Sequence, residues 1–252
     1  MSNFINLQSK NFLITGSTSG IGLEICIQIS QLGGNIIAIG RDNEKLDLLK
    51  SQLNPNVKFQ KIIYDLENIN EIQNIIEKIE IPLDGIVHSA GIVKVLPLKF
   101  WDMEEYTKLR NINQDSILII LSKLVKSKKI AKNASIVLIS SIAGSRGMKG
   151  NLMYSTTKAA LDISAKVIAA ELSSQKIRVN TINPGQVETN LTEQVSEHIS
   201  SEALNLDRNK YPLGYGNISD ISNLALFLLS EKSTWITGTN ISIDGGRSNI
   251  LN

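Results

Sequence analysis

The chain has 252 residues, 42% of them hydrophobic, and a formal net charge of +2. That length supports a substantial core and suits a single α/β domain over residues 1–252, while the near-neutral charge gives no electrostatic case for nucleic acid. The N-terminus lacks the charged-then-apolar cadence of an export signal, and no apolar run approaches the roughly 18 residues of a membrane span. A cytoplasmic protein with no membrane partner is expected.

In chain order, Phe12-Leu-Ile-Thr15 is a short apolar strand followed at once by Gly16-Ser17-Thr18-Ser19-Gly20-Ile21-Gly22. A helix from Leu23 to Leu32 stops at Gly33-Gly34, and Asn35 to Ile39 is the second strand. Asp42 caps a helix that runs through Leu46 and Leu49 to Leu53. Val57 to Tyr64 reads as a strand, Ile69 to Ile79 as a helix, and Gly85 to His88 as strand four. Leu109 to Val125 is mostly helix, with a local break plausible at Asn113, because Asn is a poor helix-interior residue. Ser135 to Ile139 is strand five, and the next helix carries Tyr154 and runs to about Ser173. Ile177 to Ile182 is strand six, Ile221 to Leu229 a helix, and Asn240 to Ile243 the last strand. Seven strands alternating with helices imply a Rossmann-type, doubly wound α/β fold, a parallel sheet covered by helices on both faces. No linker or repeat divides the chain. The one cysteine, Cys26, lies on an apolar helical stretch and reads as a buried core thiol. Asn-x-Ser/Thr triplets such as Asn133-Ala-Ser135 read as chance in an Asn-rich chain.

Two features carry chemistry. A glycine turn between the first strand and first helix gathers backbone N–H groups at a helix N-terminus, a ready site for a pyrophosphate. Its spacing is neither the usual Gly-x-Gly-x-x-Gly nor a Walker loop; taken alone it also describes a flexible turn. Tyr154 and Lys158 stand four residues apart and share one helix face. An ammonium beside the phenol favours the phenolate and draws its pKa of about 10 toward neutrality. Ser141 supplies a second hydroxyl thirteen residues earlier. A Tyr-x-x-x-Lys pair by itself also fits an ordinary exposed helix face.

Together these motifs resemble the short-chain dehydrogenase/reductase family, nearly end to end. Thr15-Gly16-x-x-x-Gly20-Ile21-Gly22 is similar to that family's cofactor turn, and His88-Ser89-Ala90-Gly91 stands where it usually has Asn-Asn-Ala-Gly. Asn113, Ser141, Tyr154 and Lys158 match its catalytic four in order and spacing. Pro184-Gly185, with Val187 and Thr189 beyond, matches its cofactor-amide loop. Gly238 and Asp244-Gly245-Gly246 also fit.

The resemblance implies hydride transfer between a nicotinamide cofactor and a carbonyl or secondary alcohol. In reduction Ser141 would polarise the carbonyl, Tyr154 would act as general acid, and Lys158 would bind the nicotinamide ribose and keep the tyrosine pKa low. Asn113 would hold a water that links Lys158 to solvent. Ser140 reads as structural. Cofactor contacts are expected along residues 16–22, at Arg41, Asp65 and Leu66, at Ser89, Ala90 and Gly91, and at the Pro184–Thr189 loop. At the tip of strand two the chain has Gly40-Arg41 and no carboxylate there. A guanidinium can grip a 2′-phosphate, so NADP(H) is favoured over NAD(H); the alternative for Arg41 is an exposed residue opening a helix. Asp65 would by resemblance meet the adenine and equally suits a cap for the next helix. His88 reads as a structural histidine at a strand end rather than a catalytic base. His198 is expected to be exposed on a lid over the substrate, and no cluster has metal-ligand spacing.

Within the family the chain is most similar to 3-oxoacyl-(acyl-carrier-protein) reductases, through the cadence of residues 184–192. Lys126, Lys128, Lys129 and Lys132 would offer such a carrier a basic surface, or form a solvated helix end; Gln175 beside Lys176 keeps a second basic place only in part. A sugar, polyol or other small ketone substrate stays open. The polar segment from Leu191 to Tyr211 speaks against a bulky apolar one. A non-catalytic NADP-binding sensor would be marked by loss of Tyr154 or Lys158, and both are present. Assembly as a homotetramer, through the helices at 109–125 and 154–173 and the last strand, is implied by the resemblance alone.

Overall fold

The computed structural model describes residues 4–188 and 206–249. Its centre is a seven-stranded parallel sheet in the order β3-β2-β1-β4-β5-β6-β7. The strands are β1 (Asn11–Thr15), β2 (Asn35–Gly40), β3 (Phe59–Ile63), β4 (Leu83–His88), β5 (Ile130–Ile139), β6 (Arg178–Pro184) and β7 (Asn240–Ile243). The chain winds outward from β1 to β3, then crosses back to lay β4 on the other side of β1. That reversal opens a crevice beyond the C-terminal ends of β1 and β4, where Thr15 pairs with His88.

Alternate strand residues enter opposite layers, as a pleat requires. Leu13, Ile37, Ile86, Ile136 and Leu138 pack with α3 (Gln73–Glu77), α5 (Ser116–Lys126) and α6 (Leu152–Glu171). Phe12, Ile14, Ile36, Val87 and Val137 pack with α1 (Gly20–Gln31), α2 (Asn43–Gln52) and α7 (Ile218–Leu229). Cys26 lies in the second layer, and burial pushes its thiol pKa up, as expected of an inert core thiol. No helix among the described residues is long and apolar enough to cross a membrane.

Strands β4 and β5 start earlier than the sequence reading has them, at Leu83 and Ile130, and four other boundaries differ for a visible reason. Strand three begins at Phe59, because Val57 closes a turn by donating to the Asn54 carbonyl. The helix expected over 69–79 is a single 3₁₀ turn, Ile69–Glu71, followed by the short α3. Its run of isoleucines and asparagines is poor in helix formers, and burial of Ile72, Ile75 and Ile76 holds the segment instead. The helical run expected from Leu109 starts earlier, as α4 (Met103–Arg110), where Asp102 accepts from the N–H groups of Glu104 and Glu105. Likewise α7 starts three residues early, on a reciprocal capping box between Asn217 and Asp220. Asp42 caps α2 as expected, accepting from Lys45 N at 3.1 Å.

Candidate active site

The glycine turn fits a phosphate-bearing group. Gly16 has φ +67°, and a Cβ there would lie 2.6 Å from Ala90 N; a Cβ on Gly22 would lie 2.2 Å from the Gly16 carbonyl oxygen. Only glycine lets the turn lie this close to the end of β4. Behind it, α1 follows Ser19, whose side chain makes no capping bond, and has no acidic residue in its first turn. The first N–H groups of a twelve-residue helix therefore face the crevice without a competing acceptor. Ser17 turns away, donating to the Ile39 carbonyl from a fully buried position. Thr18 and Ser19 stay at the surface of the turn, and Ile21 packs partly into the core.

At the ends of β2 and β3, Arg41 Nη1 lies 4.0 Å from Asp65 Oδ2, with 71% and 47% of the two side chains exposed. Such a pair holds its arginine weakly. Asp65 also accepts from Glu67 N at 3.0 Å, so it closes a turn rather than capping a helix. The Leu66 side chain is buried in the core beside α3. On the far side of the crevice, Gly185 N donates to the Ile243 carbonyl, and Val187 pairs with Gly216, pinning the Pro184–Val187 loop to the C-terminal part of the chain. Thr189 and His198 fall outside the described residues.

The end of β4 is organised by His88, fully buried with both ring nitrogens bonded. Nδ1 lies 2.8 Å from Thr15 Oγ1 and Nε2 lies 3.1 Å from the Asn113 carbonyl oxygen. A carbonyl can only accept, so Nε2 carries the proton. Thr15 then donates to Nδ1 and accepts from Ala90 N at 3.3 Å. The result is a one-way chain of donors from Ala90 through Thr15 and His88 to Asn113. Burial first, and the Lys158 ammonium second, push the His88 pKa down to about 3, against a smaller opposing effect of the Asn113 carbonyl. A neutral, doubly bonded histidine of this kind braces the sheet, as its place at a strand end suggested, and is no proton acceptor near neutrality.

Asn113 lies at the centre of a five-residue π-helical segment, Asn111–Asp115, between α4 and α5. This is the break its poor helix propensity allowed, and π turns of this kind recur at functional sites. Both amide protons are spent, one on the Ile92 carbonyl at 2.9 Å and one on Thr157 Oγ1 at 3.2 Å, while Oδ1 accepts from Ile92 N at 2.8 Å. Asn113 thus straps the segment after Gly91 to α6. The side chain keeps acceptor capacity toward a water only in the second lone pair of Oδ1.

Helix α6 buries Met153, Thr157, Lys158, Leu161, Asp162, Ala165 and Ala169, one stripe at helical spacing. That stripe brings Lys158 under the end of β5, where Nζ donates to the Ile139 carbonyl at 2.8 Å. Ser140 donates to the Lys158 carbonyl at 3.0 Å and its N–H to the Ile182 carbonyl, a structural part as expected. Ser141 Oγ accepts from Ala143 N at 3.1 Å, which leaves its own proton to donate, and the hydroxyl stands near enough to Tyr154 to oppose part of the rise in its pKa.

One expectation needs correcting. The lysine does not draw the tyrosine pKa down in this arrangement. Lys158 Nζ lies 5.6 Å from the Tyr154 ring centroid, over the ring rather than at the hydroxyl. Burial therefore decides the phenol, raising its pKa, and the Ser141 hydrogen bond only partly offsets it. Burial likewise lowers the Lys158 pKa to about 8, with the Asp162 charge opposing. Lys129 is a second correction, since its ammonium turns inward to cap the Ile76 and Ile79 carbonyls and is not free for a carrier.

Three partners escaped the sequence reading: Thr157, Asp162 and Asn183. Asn183 Nδ2 donates to Asp162 Oδ2 at 2.8 Å and lies 3.5 Å from the Ser141 carbonyl oxygen. Asp162 was within reach of sequence reasoning, being one helical turn beyond Lys158 on the same face. Among the described residues no three His, Cys, Asp or Glu side chains gather as a metal site.

Known proteins resemble this chain in sequence and in fold. A family model described as enoyl-(acyl carrier protein) reductase matches residues 16–248. A protein named 3-oxoacyl-(acyl-carrier-protein) reductase FabG from Thermotoga maritima is 32% identical over 247 residues, covering 96% of this chain and 99% of the relative. Another of that name from Rickettsia felis is 34% identical over 244 residues, covering 96% and 98%. The structure of a short-chain type dehydrogenase/reductase from Mycobacterium ulcerans superimposes with a TM-score of 0.86 at 28% identity, over 96% of this chain and 91% of that one. The chain belongs to the short-chain dehydrogenase/reductase family of oxidoreductases.

Proposed function

We propose that the protein is an NADP(H)-dependent reductase of a ketone, with Tyr154 as general acid, and that its substrate is a 3-oxoacyl group on an acyl carrier protein. The observation that carries the reading is the cluster of Ser141, Tyr154 and buried Lys158 at the crevice that the uncapped N-terminus of α1 also faces. When bound, the nicotinamide supplies the hydride. Ser141 has a proton free to donate to a carbonyl oxygen. Tyr154, held protonated by burial, gives its proton to that oxygen as negative charge develops there. Lys158 keeps its ammonium over the Tyr154 ring and bonded to the Ile139 carbonyl, a positive charge placed at the crevice. Asn113, through Ile92 and Thr157, fixes the segment after Gly91 against α6. Arg41, weakly held by Asp65, is the residue for the adenosine 2′-phosphate.

The acyl-carrier reading rests on the relatives' names and on the exposed Lys126, Lys128 and Lys132. The inward turn of Lys129 favours a second reading, a small ketone without a carrier. A homotetramer is in keeping with an apolar groove between α5 and α6, where Val125, Ile163 and Val167 are exposed above buried Leu121 and Ile163 is 59% exposed. We place the protein in the cytoplasm. NADPH oxidation against β-ketoacyl thioesters, sugar ketones and simple diketones tests the assignment. Thioester turnover upholds the acyl reading, turnover of a sugar ketone alone overturns it while keeping the chemistry, and NADPH binding without turnover favours a sensor.

A further inference from the structure

We propose that Asp162 is the buried counter-charge of Lys158, a positioning residue that holds the ammonium charged where Tyr154 works. The proposal rests on the reading of Tyr154 and Lys158 as the proton-transfer pair. Lys158 is only 4% exposed, and no described carboxylate lies within 4.0 Å of its ammonium. A lone buried cation is costly, so a charge of opposite sign nearby is expected. Asp162 is one helical turn further along α6 on the same buried stripe, 7% exposed.

Its surroundings do not explain it otherwise. Oδ2 accepts from Asn183 Nδ2, but buried Oδ1 meets no donor in the protein. A carboxylate with half its acceptors idle is a poor structural strut, since a neutral amide would serve Asn183 as well and leave less charge to bury. Close packing keeps the side chain in place: a Cβ on Gly144 would lie 2.9 Å from Ala159 N and 3.1 Å from Asp162 Oδ2. Asn183 in turn touches the Ser141 carbonyl, so the carboxylate is fixed relative to both the lysine and the serine loop.

The groups facing Lys158 can be named element by element. From β4 comes His88, which is neutral near pH 7. On α6 itself stand Tyr154 and Asp162. From β5 comes the Ile139 carbonyl, and across Gly91 the uncharged amide of Asn113. Asp162 is the one anion in this set, and its charge opposes the burial that pulls the Lys158 pKa down to about 8.

The test is Asp162→Asn, which keeps an acceptor for Asn183 and deletes the charge. Lys158 is followed in the cofactor-free protein by NMR of ¹³Cε-labelled lysine, with Lys158→Arg to identify its signal. The alkaline limb of the carbonyl-reduction rate is recorded alongside. The Lys158 midpoint is expected to fall by about one pH unit in the variant, with the alkaline limb moving down by the same amount. A merely structural Asp162 would lower the rate uniformly and leave both midpoints in place, and that result overturns the proposal. If Asp162→Asn does not fold, Asp162→Ser replaces it with the same two outcomes. If the wild type reduces no carbonyl, the enzyme reading fails, and the NMR midpoint still decides the role of Asp162.

Discussion

His88 makes the folded protein sensitive to acid in a way that can be calculated. In the unfolded chain its pKa is the ordinary 6.5, and in the fold it is about 3. The folded state therefore refuses a proton that the unfolded state accepts between those values. Stability from this residue is full above pH 6.5 and is lost progressively as pH falls toward 3. At 1.36 kcal/mol per pKa unit, moving from pH 7 to pH 5 removes about 2 kcal/mol through this one group. His88→Asn deletes the titration. The amide is shorter than the imidazole and does not span both the Thr15 hydroxyl and the Asn113 carbonyl, so one buried polar group loses its partner and at pH 7 the variant should be less stable by about 1–3 kcal/mol. Urea unfolding followed by circular dichroism at both pH values gives the comparison. The wild type should lose about 2 kcal/mol more than the variant on going from pH 7 to pH 5. Parallel losses in the two proteins would refute the reasoning, since they would mean that His88 titrates alike in both states.

Two other substitutions probe the crevice. Gly22→Ala puts a methyl 2.2 Å from the Gly16 carbonyl oxygen; a lowered melting temperature and loss of NADPH binding by fluorescence titration are expected, and an unchanged NADPH affinity would contradict the close-turn argument. Arg41→Ala should weaken NADPH about tenfold relative to NADH, the worth of a charge-assisted phosphate contact of about 1.4 kcal/mol; an unchanged NADPH-to-NADH ratio of dissociation constants would remove Arg41 from that role.

The layered fold was legible because its strands are short apolar runs between turn residues, and alternate positions such as Leu13 and Ile14 feed opposite layers. The stripe from Met153 to Ala169 likewise shows in the 3.6-residue period. Helix starts at Met103 and Ile218 were missed although Asp102 and the Asn217–Asp220 box are readable caps. What spacing could not convey was direction. Lys158 reaches a carbonyl on β5 and lies over the Tyr154 ring, so burial rather than charge sets the phenol in this structure. Lys129 folds back on α3, and Ser17 donates to β2. These depend on which neighbour the tertiary fold presents. The link from Thr15 through His88 to Asn113 spans two strands and a π segment, and no local pattern announces it.

The central claim is that Tyr154 delivers the proton that accompanies hydride transfer. Its most direct test is Tyr154→Phe, which removes one hydroxyl oxygen and keeps the ring over which Lys158 sits. NADPH affinity is measured first, then turnover with whichever ketone the wild type reduces best. Affinity within about twofold of wild type is expected, with turnover lower by roughly 10²–10⁴-fold, the usual worth of a positioned general acid. A phenylalanine variant that binds NADPH normally and turns over at the wild-type rate would contradict the claim.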